Sequence, residues 1–299
     1  MQRHWLTMAA VVVLAACSGG NPFELDDTTS DGDETSPGVP EDIAGSIESF
    51  SYDPTNETLV VRGMDLDATP YQATYTRKPG LDIGDYEAYT SQQNPLTRHT
   101  TFFVRDINGT RAGVAMSGQF GHVFGGALYK GKDFSAPDVA TAGGLVSYAG
   151  DYVGFVNTAG SSEDLLPTAP GTPDDIKPGQ VAEITGRVFI NADFSDNTVD
   201  GRVYNRIIPD ATVGSGYEGP LDNIDFEPTS IDKNGNFVGN VTDPSHKDIG
   251  TYGGAFGGTD GRAVAGALTA TGHITDDTIE FGIFVLDSCN SAAADPVCP

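Results

Sequence analysis

The chain has 299 residues, 42 of them acidic against 16 Lys and Arg, for a net charge of −26. So negative a surface repels nucleic acid and anionic lipid, whose recognition needs Lys/Arg patches, so neither is expected as a partner. It suits a body kept soluble in water or salt, or one that meets a basic partner.

Residues 1–17 read as a leader. Arg3 and His4 are followed by an apolar run, Leu6–Ala16, broken only by Thr7. About eleven residues at ~1.5 Å rise fall well short of a ~30 Å hydrocarbon core, which makes this a signal-peptide core and not a spanning helix. The run ends in Leu14-Ala15-Ala16-Cys17, which resembles a bacterial lipobox. That resemblance implies that Cys17 is acylated on sulfur and becomes the new amino terminus. Ser18 follows where an Asp would resemble an inner-membrane retention signal, so delivery to the outer membrane is expected. An ordinary secretory leader with a chance Cys is the alternative, and the position and flanks favour the lipobox.

Residues 18–42 hold Glu24, Asp26, Asp27, Asp31, Asp33, Glu34, Glu41 and Asp42 and no basic residue. With Ser, Thr, Gly and Pro filling the rest, such a segment buries too little apolar area to fold, and reads as an acidic tether. As flexible coil it spans ~25–30 Å r.m.s., more with like-charge repulsion.

From Ile43 the pattern is β. In 43–140, alternating runs occur at Ser46–Tyr52, Thr58–Gly63, Tyr71–Tyr75, His99–Arg105, Arg111–Ser117 and His122–Tyr129, with turn signals at Asp53-Pro54-Thr55-Asn56 and Asn108-Gly109. Lys132–Thr141 is a polar connection containing Pro137, placed here as the boundary between two β units. In 141–299, strands are predicted at Leu145–Tyr148, Tyr152–Asn157, Val181–Asp193, Val199–Ile208, Asn223–Thr229, Gly235–Thr242, Gly250–Gly257, Arg262–Ala270 and Ile279–Leu286. No sustained i, i+3, i+4 apolar stripe appears, so long helices are not expected. Many short strands at regular spacing indicate an all-β fold, a sandwich or a closed barrel.

The stretch 250–268 carries Gly at 250, 253, 254, 257, 258, 261 and 266. It lacks the phosphate-loop patterns and the helix that such a loop must feed. Its alternation has period two, with Tyr252, Gly254 and Phe256 on one face and Gly253, Ala255 and Gly257 on the other. After a turn, Val264, Gly266 and Leu268 alternate with Ala263, Ala265 and Ala267. Repeated Gly weakens a strand, so its use here implies close approach of other groups, as in a tightly filled barrel. The GxGxxG at Gly214–Gly219 runs straight into Pro220 and is read as a loop.

Catalytic chemistry is thinly represented. Asp232-Lys233-Asn234-Gly235-Asn236 resembles the start of a Ca²⁺ loop, but the bidentate Glu is missing and a hairpin turn is favoured; Asp193–Asp200 reads the same way. His99, His122, His246 and His273 form no metal motif, and His246, the one that could ligate haem or metal, reads as a solvated loop residue. Tyr152, Tyr204, Tyr217 and Tyr252 can stack on a ligand, though barrel packing accounts for most of them. No nucleophile elbow occurs, Ser161-Ser162 has no nearby His, and pairing any two of so many carboxylates would be arbitrary. No enzyme activity, cofactor or metal is expected. Cys289 and Cys298 are expected to pair as a disulfide in an oxidising compartment, closing a short loop at the low end of the usual ~2–4 kcal/mol.

Four segments, in order, resemble the β-barrel of bacterial surface lipoproteins related to transferrin-binding protein B. They are Val146–Tyr152, with Tyr152 where an aromatic is usual; Ala192–Gly201, similar to a "DF..NT..G" hairpin; Ile231–Gly239, similar to "I..N.F.G"; and Gly254–Gly266, similar to "FYG..A.E.GG". In the last, Ala265 stands where the pattern often has Glu, and a second Gly is absent. The likeness covers roughly 145–287. It implies an eight-stranded antiparallel barrel behind a smaller β-rich handle-like domain, displayed on the outer membrane; a monomer is expected. It also implies capture, through loops, of a protein or small ligand such as an iron or haem carrier. Leu166–Gln180, rich in Pro, and Ile208–Leu221 are the candidate loops by length. The competing reading is a structural or assembly lipoprotein of the envelope with no diffusible ligand.

Overall fold

The computed structural model describes residues 38–64, 71–119, 122–211 and 217–298. The leader with Cys17, the tether up to residue 37, and Gly214, Ser215 and Gly216 of the GxGxxG match lie outside the described residues. Glu41 and Asp42, expected at the end of the tether, instead form the first turn of α1 (Glu41–Ala44), which inserts the fully buried Ile43 into the body.

Seven antiparallel strands follow in simple meander order: β1 (Ile47–Asp53), β2 (Thr58–Gly63), β3 (Gln72–Arg77), β4 (Glu87–Ser91), β5 (Thr100–Ile107), β6 (Thr110–Gln119) and β7 (His122–Lys130). β4 is an addition to the sequence expectation. Ala88, Tyr89 and Thr90 are all buried, so its side chains give no polar–apolar alternation to read. The β5–β6 hairpin has the two-residue Asn108-Gly109 turn that its dipeptide predicts, both residues at positive φ. The sheet curls until α1 and the start of β1 meet β7, where Ser46 N donates to Gly125 O at 2.9 Å.

The second unit is a closed antiparallel barrel of β8 (Leu145–Ala159), β9 (Val181–Asp193), β10 (Thr198–Ile207), β11 (Ile224–Ser230), β12 (Asn236–Thr242), β13 (Asp248–Gly257), β14 (Ala263–Thr271) and β15 (Ile279–Asp287), with β15 closing on β8. The two strands expected at 145–157 are one; the small Ala149 and Gly150 interrupt the apolar pattern without interrupting the ladder to β9. The seven-stranded sheet contributes no strand to the barrel.

The barrel is filled. Tyr148, Tyr152, Phe226, Phe237, Tyr252, Phe256 and Phe284 point inward and are buried, with Phe226 and Tyr252 stacked at 4.5 Å between centroids. Rings of this size fit because the same face carries Gly254 and Gly266, where a Cβ would fall into the rings of Phe237 and Phe284. The opposite, small-residue face answers to something else. Ala255, Ala265 and Ala267 point out of the barrel and pack against Phe103, Val114, Met116 and Ala127 of the seven-stranded sheet, and Tyr129 occupies the space a side chain at Gly253 would need. The glycines thus serve two packings, one on each side of the same hairpin. Strands β5 and β14 accordingly bury both faces.

Polar groups from the sheet also complete the barrel. The β15–β8 ladder breaks after Phe284–Tyr152 and resumes at Ser288–Tyr148, and in the gap the Tyr86 hydroxyl intervenes. It donates to Asp151 O at 2.8 Å and accepts from Val285 N at 3.0 Å, while Arg105 Nη1 donates to Val285 O at 2.8 Å. Burial pushes the Tyr86 phenol up to about 12, with Arg105 opposing, so it stays protonated for this role.

The predicted connection at 132–141 is packed rather than free. Phe134 enters one end of the barrel against Phe194 and Phe256, Ser135 exchanges backbone bonds with Gly258 and Gly261, and the connection carries α2 (Val139–Ala142). At the same end Cys289 and Cys298 are joined by a disulfide, and Arg187 bridges Asp151 and Asp295, both at 2.5 Å, holding the carboxy-terminal loop to the wall.

Tyr86→Phe removes one hydroxyl and leaves a buried N–H and a buried C=O unpaired. Chemical denaturation should show a loss of roughly 1–3 kcal/mol; a change under ~0.5 kcal/mol would mean that the seam does not depend on it.

Candidate binding groove and loop rim

Antiparallel closure sends alternate connections to opposite ends of the barrel. The turns 194–197, 231–235 and 258–262 share the end capped by Phe134. The connections 160–180, 208–223, 243–247 and 272–278 share the other, so both long loops singled out from the sequence lie on one rim.

Their settings differ. The Pro-rich loop is held against the seven-stranded sheet. Asp164 accepts from Lys78 at 3.0 Å and faces His99 Nε2 at 2.8 Å, Leu166 N donates to Gln92 Oε1 at 2.8 Å, and Gly179 bridges Gly118. The described part of the second loop is fixed at both ends, by the buried Ile208 and by Leu221 N donating to Arg206 O at 2.8 Å, and Tyr217 reaches Thr275 at 3.1 Å.

Beneath the rim the barrel interior holds an ion pair. Arg206 and Glu280, 1% and 0% exposed, meet directly; Tyr152 donates to Glu280 Oε1 at 2.6 Å, and His273 Nε2 lies 2.8 Å from Oε2. Arg206 Nη1 also donates to Asp222 O at 2.5 Å. Burial by itself raises a carboxyl, but here it is outweighed by the Arg206 charge and by the hydrogen bonds of His273 and Tyr152, which hold Glu280 at about 2. His273, read from sequence as unclustered, belongs to this group through Glu280 across the β14–β15 connection and through the sequence-distant Arg206. The signal available was Glu280 itself, a charge in phase with Gly282, Phe284 and Leu286 on the inward face.

Outside the barrel, the seven-stranded sheet covers β13, β14, β15, β8 and the start of β9 at Val181, leaving the rest of β9 and β10–β12 uncovered. A groove of 750 Å³ crosses β9, β10 and β11 there. Phe189 and Tyr204, half-buried, line it with Asn191, Asn205 and Asn223; Asp200, Glu227 and an Arg202–Asp225 pair at 2.8 Å supply charge, and the exposed His246 sits at its rim end. The wall is irregular at this point. The β10–β11 register shifts between Val199 and Gly201, where Glu227 and Pro228 of β11 oppose Asp200 alone, Pro228 has no N–H, and β11 meets β12 only at Asp225–Thr242 and Phe226–Val241. Side chains stitch the remaining gap: Thr229 donates to Val238 O at 2.6 Å and Tyr252 to Glu227 O at 2.7 Å. Two aromatics on the polar phase of their strands, Phe189 and Tyr204, were the sequence trace of this groove.

The other sequence candidates fall as turns. Asp232 Oδ1 accepts from Asn234 N and Asn236 N, and Asp193 Oδ1 from Ser195 N, each at 2.8 Å. Among the described residues no group of three or more metal-ligating side chains converges.

No protein-family model matches the chain, and no curated protein matches it. Its structure is similar to solved structures of transferrin-binding protein B and of a surface lipoprotein. Intact Ap-TbpB with its N and C lobes gives a TM-score of 0.39 at 14% identity, over 81% of this chain and 55% of that one. A mutant of the vaccine antigen Transferrin Binding Protein B from Haemophilus parasuis gives 0.40 at 11%, over 81% and 54%. A structure titled Surface Lipoprotein gives 0.33 at 15%, over 79% and 94%. The chain therefore spans about half the length of the first two.

Two pH responses are expected. Glu280 has a folded value depressed to about 2 from 4.5, so its contribution is present above about pH 4.5 and lost as pH falls towards 2. Glu280→Gln should cost roughly 3–5 kcal/mol at neutral pH by leaving Arg206 buried and unpaired, and should flatten the acid limb of a stability–pH curve. Glu183 is the reverse case. Burial, then the charges of Asp210 and Asp164, push it up to about 7, so ionisation destabilises the fold as pH rises from about 4.5 through 7. Glu183→Gln should gain stability over the parent at pH 8 and match it near pH 4; equal behaviour at both would contradict the assignment.

Proposed function

We propose that this protein is a lipid-anchored binding protein of the outer membrane, presenting the barrel's loop rim and outer-wall groove to a protein or small ligand. The observation that carries this reading is the groove, where aromatic and carboxamide side chains sit on a wall left uncovered while the interior is filled. Recognition then lies on the outside, as aromatic surface next to polar groups requires. Cys17 is the acylation site, and the acidic segment after it holds the body off the bilayer. The net charge favours a ligand or partner surface bearing positive charge. An iron or haem carrier is the partner class that the sequence resemblance suggests.

Anchoring and display are tested together. Cys17→Ala should move the protein from the membrane to the soluble fraction, and protease added to intact cells should digest the parent protein. Full protection would remove the surface assignment and leave a periplasm-facing binder. For the site, affinity capture with the purified protein should retain a partner that the Phe189→Ala/Tyr204→Ala double variant binds at least ten-fold more weakly. Equal retention would take the groove out of the binding surface. No retained partner, together with an envelope defect on deletion, would favour the assembly role.

A further inference from the structure

We propose that a second site, on the seven-stranded sheet, binds a small organic carboxylate through Arg98. A cavity of 380 Å³ opens at the loop end of that sheet, lined by Arg98 together with the hydroxyls of Tyr71, Tyr75, Ser91, Thr97 and Thr100 and the apolar Met64. No Asp or Glu is among its described lining residues, in a chain with 42 acidic groups. Arg98 makes no ion pair with any described residue, whereas Arg77, Arg105, Arg111, Arg187, Arg202, Arg206 and Arg262 each have a carboxylate within 4.0 Å. Its Nη1 is buried without a hydrogen-bond partner, and its guanidinium lies over the Phe124 ring at 5.0 Å.

These features belong together. The Phe124 face orients the guanidinium and compensates part of its charge, yet it takes no directed hydrogen bond from the planar fork. A half-buried cation with Nη1 unsatisfied, set beside neutral hydroxyls and with no carboxylate among the described lining residues, presents what an anion needs; the Thr97 hydroxyl already donates to Asn94 O. Met64 and the Tyr71 and Tyr75 rings give the remainder of the ligand an apolar seat, and the volume admits a small molecule rather than a protein side. A carboxylate on a compact aromatic or aliphatic body fits all three. The cavity is separate from the groove on β9–β11, so either site can fail without the other.

The purified protein is titrated with benzoate, with benzamide as the neutral isostere and with inorganic phosphate, followed by NMR. Saturable benzoate binding is expected, at least ten-fold tighter than benzamide, with intermolecular NOEs from the benzoate ring to Tyr71 and Tyr75. Arg98→Gln should weaken benzoate at least ten-fold, and Arg98→Lys should retain part of it. The proposal falls if benzoate does not saturate, if benzamide binds equally, or if a folded Arg98→Gln binds benzoate as the parent does. Phosphate binding as tightly as benzoate overturns the carboxylate class. If Arg98→Gln does not fold, the benzoate–benzamide comparison and the NOEs on the parent protein decide.

Discussion

The Tyr86 hydroxyl stands where the closing ladder of the barrel lacks a direct pair, and the arrangement of the two units follows from keeping it there. A phenol can join Asp151 O to Val285 N only if the Ile83–Tyr86 turn that precedes β4 is held against β8 and β15. The neighbouring β13 and β14 meet the same sheet with a wall of little relief. Ala255, Ala265, Ala267 and Gly253 supply it, and Tyr129 and Phe103 fill what they vacate. The barrel is closed in its topology, yet its closing seam borrows hydrogen-bonding groups from a neighbouring sheet. In this molecule a buried polar atom finds its partner across units and not only along strands.

The same logic governs the two ends. At the rim, inward-pointing Arg206 and Glu280 pair with each other and with Tyr152 and His273, while Arg206 Nε and His273 Nδ1 stay buried without a partner. Such a pair adds less net stability than apolar filling would, but removing one partner is costly. It therefore fixes which residues face inward at the ends of β10 and β15. Outside, β10 and β11 are bulged and thinly paired, and the groove lies over that irregular ladder. The stable wall is covered by the sheet; the loosely paired wall faces the surroundings.

The barrel strands were legible because their faces differ. Val181–Asp193 alternates in burial and the hairpin of 250–270 in side-chain size, and their predicted ends agree with the observed ones within a few residues. β4 was not legible, since both its faces are buried, and the long β8 was split at Ala149-Gly150, where small side chains mute the pattern. The meaning of the small face of β13–β14 was half read: glycine signals that something comes close, not what. For the site, the two long loops were visible by length, but not the anchors of one of them on Lys78 and His99. Partners tens of residues away leave no local trace. The groove left two aromatics out of phase, a faint mark in a chain with many Phe and Tyr.

Phe134 has a consequence for how the polypeptide can be divided. By composition the stretch around Pro137 is a natural place to cut, yet the ring three residues earlier is the stopper of the downstream barrel, seated on Phe194, Phe256 and the backbone at Gly235. A downstream half severed there would open a greasy mouth to water, and the upstream half would trail an unsheathed aromatic. The two halves are chemically unequal neighbours that share one plug, which makes separate inheritance of either an unfavourable route.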